Sequence, residues 1–190
     1  MIRRESVMKG ERTGQAIPFR LQDLQLLQHL MGKSEKLNDQ RNLAFLFVAY
    51  NTLTRLSEIS RIRVRDLEIR DNGHVLIDLS HTKTIVTAAG VVKHLSKVAA
   101  RQLLHWLTIS GLVDKPDAIV FGPVRHNNTA VSDKPMSAPA TEKIFKDAWD
   151  LLGKEPETGN KGRYSKWSGH SARVGAAIDM AERDATMTQI

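Results

Sequence analysis

Eight consecutive residues, Leu43-Ala44-Phe45-Leu46-Phe47-Val48-Ala49-Tyr50, carry no charge and no amide, and neither Gly nor Pro interrupts the stretch around them. The spacing predicts one helix from about Asn38 to Leu53. A helix that is apolar on every side has no face to give to water, so other elements must surround it. The run is far short of the roughly 20 residues that cross a bilayer. The chain must therefore wrap a globule around this segment, and the helix should be the centre of its core.

The elements available for wrapping can be read from periodicity. Leu21, Leu24, Leu27 and Met31 recur at helical spacing, and Gly32 follows them. A short helix is expected at Ser57-Glu58-Ile59, with Ser57 as its N-cap. The period then changes to two. Val75, Ile77 and Leu79 alternate with other residues behind Asn72-Gly73, a hairpin signal, and Ile85, Val86, Val91 and Val92 continue the strand character. A small antiparallel sheet of two or three strands is expected between Leu67 and Leu95. Ser96 then caps a helix to Ile109 that Gly111 stops, and Ile119-Val120-Phe121 forms a short apolar piece before an irregular loop to Ser137. Pro139 falls in the first turn of another helix, ended near Leu152 by Gly153. A last helix runs from about Ser171 to the end. The fold class is α+β, mainly helical, with one small sheet. Residues 1–19, polar and punctuated by Gly10, Gly14 and Pro18, read as a linker or arm, and residues 20–190 as one domain. The last helix meets no stop signal before Ile190, so the domain is expected to be incomplete at its C-terminus.

Charge narrows the partner. The chain has 28 Lys+Arg against 21 Asp+Glu, a net +7, and this excess favours a polyanion. Its distribution matters more. No acid lies between Asp78 and Asp114, where Lys83, Lys93, Lys97 and Arg101 stand, and none from Thr158 to Ile178, where Lys161, Arg163, Lys166 and Arg173 stand. Two such stretches suggest a groove that neutralises phosphates. The absence of cysteine excludes disulfides, thiolate metal sites and a thiol nucleophile. The N-terminus has basic residues but no apolar stretch behind them, so no leader is expected and a cytoplasmic location is. A P-loop is ruled out because Leu27 stands where Gly32-Lys33-Ser34 would need its first glycine. No metal ligand set and no tight group of carboxylates for two magnesium ions is visible. Chemistry on a phosphate would fall to side-chain cations.

Three segments supply them. Arg55 sits at a helix junction with Glu58 three residues on. Lys83, in His81-Thr82-Lys83-Thr84, follows a strand. His170 and Arg173 share one helical face near an N-terminus whose free amides also attract anions, within Trp167-Ser168-Gly169-His170-Ser171-Ala172-Arg173-Val174-Gly175-Ala176-Ala177. Taken singly, the first two are ordinary surface features. In this order, and with Tyr50-Asn51-Thr52-Leu53, Arg61-Ile62-Arg63-Val64 and Ala89-Gly90-Val91 around them, the chain resembles the catalytic domain of the tyrosine recombinase (phage integrase) family from about Gly10 to Ile190.

The resemblance implies site-specific DNA recombination or integration through a 3′-phosphotyrosyl intermediate, without metal or other cofactor. Arg55 and Arg173 match the paired guanidiniums on the scissile phosphate, Lys83 the general acid, His170 a phosphate-bonding histidine and Glu58 an orienting acid. Arg125, Lys161 and Arg163 are candidates for DNA contact. The implied partners are a double-stranded recombination site and, in an intact parent, a tetramer on DNA; the present chain is expected to be a monomer, off the membrane. One departure stands out. The family's nucleophilic tyrosine follows the His-x-x-Arg helix, whereas Tyr50 and Tyr164 both precede it. Tyr50 reads as core and Tyr164 as a packing or backbone contact, so this chain should bind DNA without cleaving it. The alternatives are a non-catalytic DNA-binding fragment or regulator, and an RNA binder. Only 5% of the residues are aromatic, which disfavours base stacking and hence the RNA binder.

Overall fold

The computed structural model describes residues 16–79, 91–156 and 165–187. Six α-helices and three strands are assigned among them: α1 (Leu21–Met31), α2 (Leu37–Thr52), α3 (Leu56–Ile59), a 3-10 turn (Val64–Asp66), β1 (Leu67–Ile69), β2 (Val75–Asp78), β3 (Val92–His94), α4 (Lys97–Ile109), α5 (Ala138–Leu151) and α6 (Ser171–Met187).

Helix α2 is the centre of the core. Every residue from Gln40 to Tyr50 is buried, as the unbroken apolar run requires. Helices α1, α4 and α6 pack around it. Three polar residues of its first half, Gln40, Arg41 and Asn42, are buried too, and each finds a partner. Gln40 donates to the carbonyls of Met31, Gly32 and Ser34 at 3.1, 3.2 and 2.7 Å, and accepts from Gln102 of α4 at 3.1 Å. Arg41, only 7% exposed, donates to Asn38, Asn42 and the Gly122 carbonyl. Burial lowers its pKa to about 10. The helix stops at Leu53, whose φ of 54° lies in the left-handed region.

The sheet is antiparallel in the order β1-β2-β3, with Leu67 opposite Ile77 and Leu76 opposite His94. Val75, Ile77 and Leu79 are buried as their alternation predicts, and Leu76 on the other face is buried as well. The hairpin between β1 and β2 closes through three residues rather than the two that Asn72-Gly73 suggests: Arg70 and His74 pair, and only Gly73 takes positive φ, at 77°. Ile85 and Val86 lie outside the described residues.

Caps and stops agree closely with the sequence. Ser96 Oγ accepts from the Ala99 amide and opens α4, and Gly111 follows that helix with φ 66°. Ser137 caps α5 with Pro139 in the first turn, and Gly153 follows at φ 63°. Two expectations about burial fail. Leu21, placed on the buried stripe of α1, is 37% exposed. The linker expected over 1–19 gives way at Ala16, since Ala16, Ile17 and Phe19 are buried. Phe19 stands edge-on to Phe145 and Trp167 with centroids 5.8 and 4.8 Å apart, and Trp167 stands edge-on to Trp149 at 5.2 Å. The Phe19 amide donates to the Ser171 carbonyl at 3.0 Å, and the Trp167 indole donates to the Pro18 carbonyl. A Cβ on Gly175 would sit 1.8 Å from the Phe19 carbonyl oxygen, so α6 accepts this segment only because it has glycine there. Apolar side chains at 17 and 19 outweighed the polar composition around them.

Candidate active site

Helix α3 presents the first cation. Arg55 stands in extended conformation just before the helix, and its amide donates to Glu58 Oε2 at 3.1 Å. The N-cap is thus Arg55, not Ser57. The carboxylate three residues on accepts from the amide of the N-cap itself, the half of a capping box that needs no serine hydroxyl. The Arg55 side chain is 59% exposed, and its Nη1 lies 3.7 Å from Glu58 Oε1. Glu58 is buried, and among the described residues Oε1 makes no hydrogen bond.

Trp167, Ser168 and Gly169 are all buried, and Ser171 locks the turn: its Oγ accepts from the Ser168 amide and its own amide donates to the Ser168 carbonyl, both at 2.9 Å. Helix α6 starts from that turn. His170, exposed, immediately precedes the helix and Arg173 is half-buried in its first turn; among the described residues neither side chain makes a hydrogen bond or ion pair.

One contact joins the two cationic segments. Gly169 lies flat on Leu56, where an added Cβ would come within 2.2 Å of Leu56 Cδ1. Its amide donates to Glu142 Oε2 of α5 at 2.9 Å. Residues 55 and 170 each lie one position beyond this contact, although 115 residues separate them in sequence.

Beside α3 a cleft of about 380 Å³ is lined by Glu58, Arg61, Arg63, Arg65, Asp66 and the end of β2 at Asp78-Leu79, among others. Arg63 donates to the Asp117 carbonyl and Arg65 pairs with the Asp117 carboxylate at 2.6 Å. Arg61 carries no such partner among the described residues. Lys83, four positions after Leu79 in sequence, lies outside the described residues, as do Lys161, Arg163 and Tyr164. Arg125 is exposed in the loop before α5, its amide closing a turn with Thr129.

The motif reading missed Glu142 and Asp179. Asp179 of α6 accepts from the Tyr50 hydroxyl at 2.6 Å, from Arg20 Nε and from the Leu21 amide at 2.8 Å. Burial would raise this carboxyl, but the bonds from Tyr50, Leu21 and Arg20 outweigh it and hold its pKa below the ordinary value. The same burial, with the neighbouring anion, pushes the Tyr50 phenol well above its ordinary value. Tyr50 is therefore a structural donor, poorly disposed to act as a nucleophile. A signal for Asp179 existed, as it is the first acid after the acid-free stretch 158–178. Glu142 had none, being placed on the site by a separate helix.

The architecture recurs in solved recombinases. XerA recombinase aligns over 90% of this chain and 52% of its own, with TM-score 0.60 and 14% identity. XerH recombinase, solved bound to its difH substrate in a pre-cleavage complex, aligns over 88% of this chain and 44% of its own, with TM-score 0.58 and 14% identity. The fold is one that these recombinases share.

The sequence narrows this further: the chain belongs to the phage integrase family, whose profile matches residues 9–190. It is 43% identical over 192 residues to the recombinase Cre of Escherichia phage P1, a match that takes in the whole of this chain and 55% of that relative. The chain thus spans about half the length of the curated relative it matches.

Proposed function

We propose that these residues form the phosphate-binding part of a site-specific DNA recombinase acting on duplex DNA. The observation that carries the reading is the seating of Gly169 on Leu56, which sets the His170 turn against the start of α3. Arg55 and Arg173 bind the two non-bridging oxygens of one phosphodiester, where planar guanidiniums match developing negative charge. His170 hydrogen-bonds the same phosphate, and Glu58 orients Arg55 through the capping bond and the ion pair beside it. A tyrosine hydroxyl attacks phosphorus as its proton passes to His170, the bond to the 5′-oxygen breaks, and Lys83 gives the departing oxygen its proton. Arg125, Lys161 and Arg163 contact DNA outside this centre. The reaction conserves bond energy in a phosphotyrosyl link, so neither metal nor nucleotide is called for.

The nucleophile is not Tyr50, whose hydroxyl is committed to Asp179, nor Tyr164, which precedes the His-x-x-Arg helix. These 190 residues by themselves bind duplex DNA, as a monomer in the cytoplasm, and leave it uncut; within a longer recombinase they work in a tetramer on DNA. A nicked suicide duplex carrying the recombination site tests this. Salt-sensitive binding without a covalent adduct is expected. An adduct on denaturing gels would overturn the assignment of the nucleophile, and salt-independent binding would overturn the phosphate site.

A further inference from the structure

We propose that Glu142 is a positioning residue for this site: its carboxylate holds the Gly169 amide so that the His170 turn seats on α3 beside Arg55. The proposal rests on the reading of the site given above.

A carboxylate near a phosphate-binding centre opposes the ligand, so its presence needs a structural reason. Glu142 is half-buried on α5, and among the described residues its hydrogen bond is the one from Gly169, at 2.9 Å to Oε2. The bond offsets part of its charge with a peptide dipole. It also acts with the steric contact on Leu56. An added Cβ on Gly169 would meet Leu56 Cδ1 at 2.2 Å and Glu142 Oε1 at 3.1 Å, so the peptide is gripped between the leucine side chain and the carboxylate. Leu56 restrains it by packing alone, which leaves sliding free. The directional bond to Glu142 removes that freedom. Since residues 55 and 170 adjoin this contact on either side, a slide there separates the two groups that must share one phosphate.

Reach is as important as charge. Glutamine at 142 keeps an acceptor oxygen at the same distance from α5. Aspartate keeps the charge but falls one methylene short, and alanine has neither. The experiment uses the 190-residue chain and reads two quantities by NMR: hydrogen exchange of the Gly169 amide without DNA, and the shift of the His170 ring on titration with a 30-base-pair duplex. In Glu142→Gln both should stay near wild type. In Glu142→Asp and Glu142→Ala, Gly169 should exchange at least about tenfold faster, as for a lost charged hydrogen bond, and the duplex-induced His170 shift should fall by more than half. If Glu142→Ala does not fold, the Gln and Asp variants carry the comparison.

Unchanged exchange in Glu142→Asp overturns the proposal. So does a glutamine variant that behaves like alanine, because charge rather than geometry would then be at work. Faster exchange with a full His170 response makes the bond merely structural and overturns the positioning role. A wild-type chain whose His170 ignores duplex overturns the functional reading instead, and is told apart because the exchange series is read without DNA.

Discussion

Replacing Tyr50 by Phe isolates the bond that ties the central helix to the last one. The phenol is 5% exposed and its hydroxyl donates to Asp179 Oδ2 at 2.6 Å. Phenylalanine keeps the ring and its packing, so the loss is one short hydrogen bond to a charged acceptor. Such bonds contribute about 1.5–3 kcal/mol. Asp179 keeps Arg20 and the Leu21 amide as partners and is not orphaned, which places the expected loss at the lower end, about 2 kcal/mol. For a chain of this size that lowers Tm by roughly 4–8 °C. The pH dependence has a fixed sign on each side. The folded Asp179 carboxyl titrates below its ordinary value, so its contribution is present above about pH 4, where the unfolded carboxyl ionises, and is lost as pH falls through the folded value. The Tyr50 phenol titrates above its ordinary value, so its contribution is full below about pH 10 and fades as pH rises beyond. Urea unfolding of wild type and Y50F between pH 2.5 and 8 measures this. A difference below about 0.5 kcal/mol at pH 7, or one that grows rather than shrinks as pH is lowered, refutes the reasoning.

Arg55→Ala should cost less than about 1 kcal/mol in urea melts, since the side chain is 59% exposed and its ion pair with Glu58 is long, at 3.7 Å. It should nevertheless weaken duplex binding several-fold in a filter or anisotropy assay. Arg173→Ala should lower duplex affinity and flatten the log K against log salt plot by about one unit; an unchanged slope places the guanidinium away from phosphate. Gly169→Ala forces a methyl to within 2.2 Å of Leu56 and should destabilise by about 1–3 kcal/mol. Its duplex affinity should fall at temperatures where circular dichroism shows the variant still folded.

Much of the fold was legible because local signals and tertiary demands agreed. Ser96, Gly111, Pro139 and Gly153 mark the ends of α4 and α5 in sequence and in structure. The errors fell where a local signal was overruled. Ser57 has the chemistry of a cap, but Glu58 reaches back to the Arg55 amide and moves the helix start. Leu21 has the spacing of a buried residue, yet it opens α1 with its amide turned to Asp179 and its side chain to solvent. Residues 16–19 look like linker by composition and are core by contact, because Phe19 finds Phe145 and Trp167, which are remote in sequence. In the site, the ordered cations were readable as a pattern, while Glu142 and Asp179 were not, since a carboxylate's role depends on the donor that folding brings to it.

The amino-acid order alone settled that α2 had to be interior: eight side chains in a row without a polar face leave an aqueous helix no other place. It also settled the family, through residue types in a fixed order. It did not settle which distant backbones touch. That Gly169 rests on Leu56, that Phe19 passes over Gly175 and that Tyr50 reaches Asp179 are facts of close approach between segments more than a hundred residues apart. Pairings of that kind depend on how whole helices stack, a property of volumes and angles summed over the core, which periodicity within one segment does not contain.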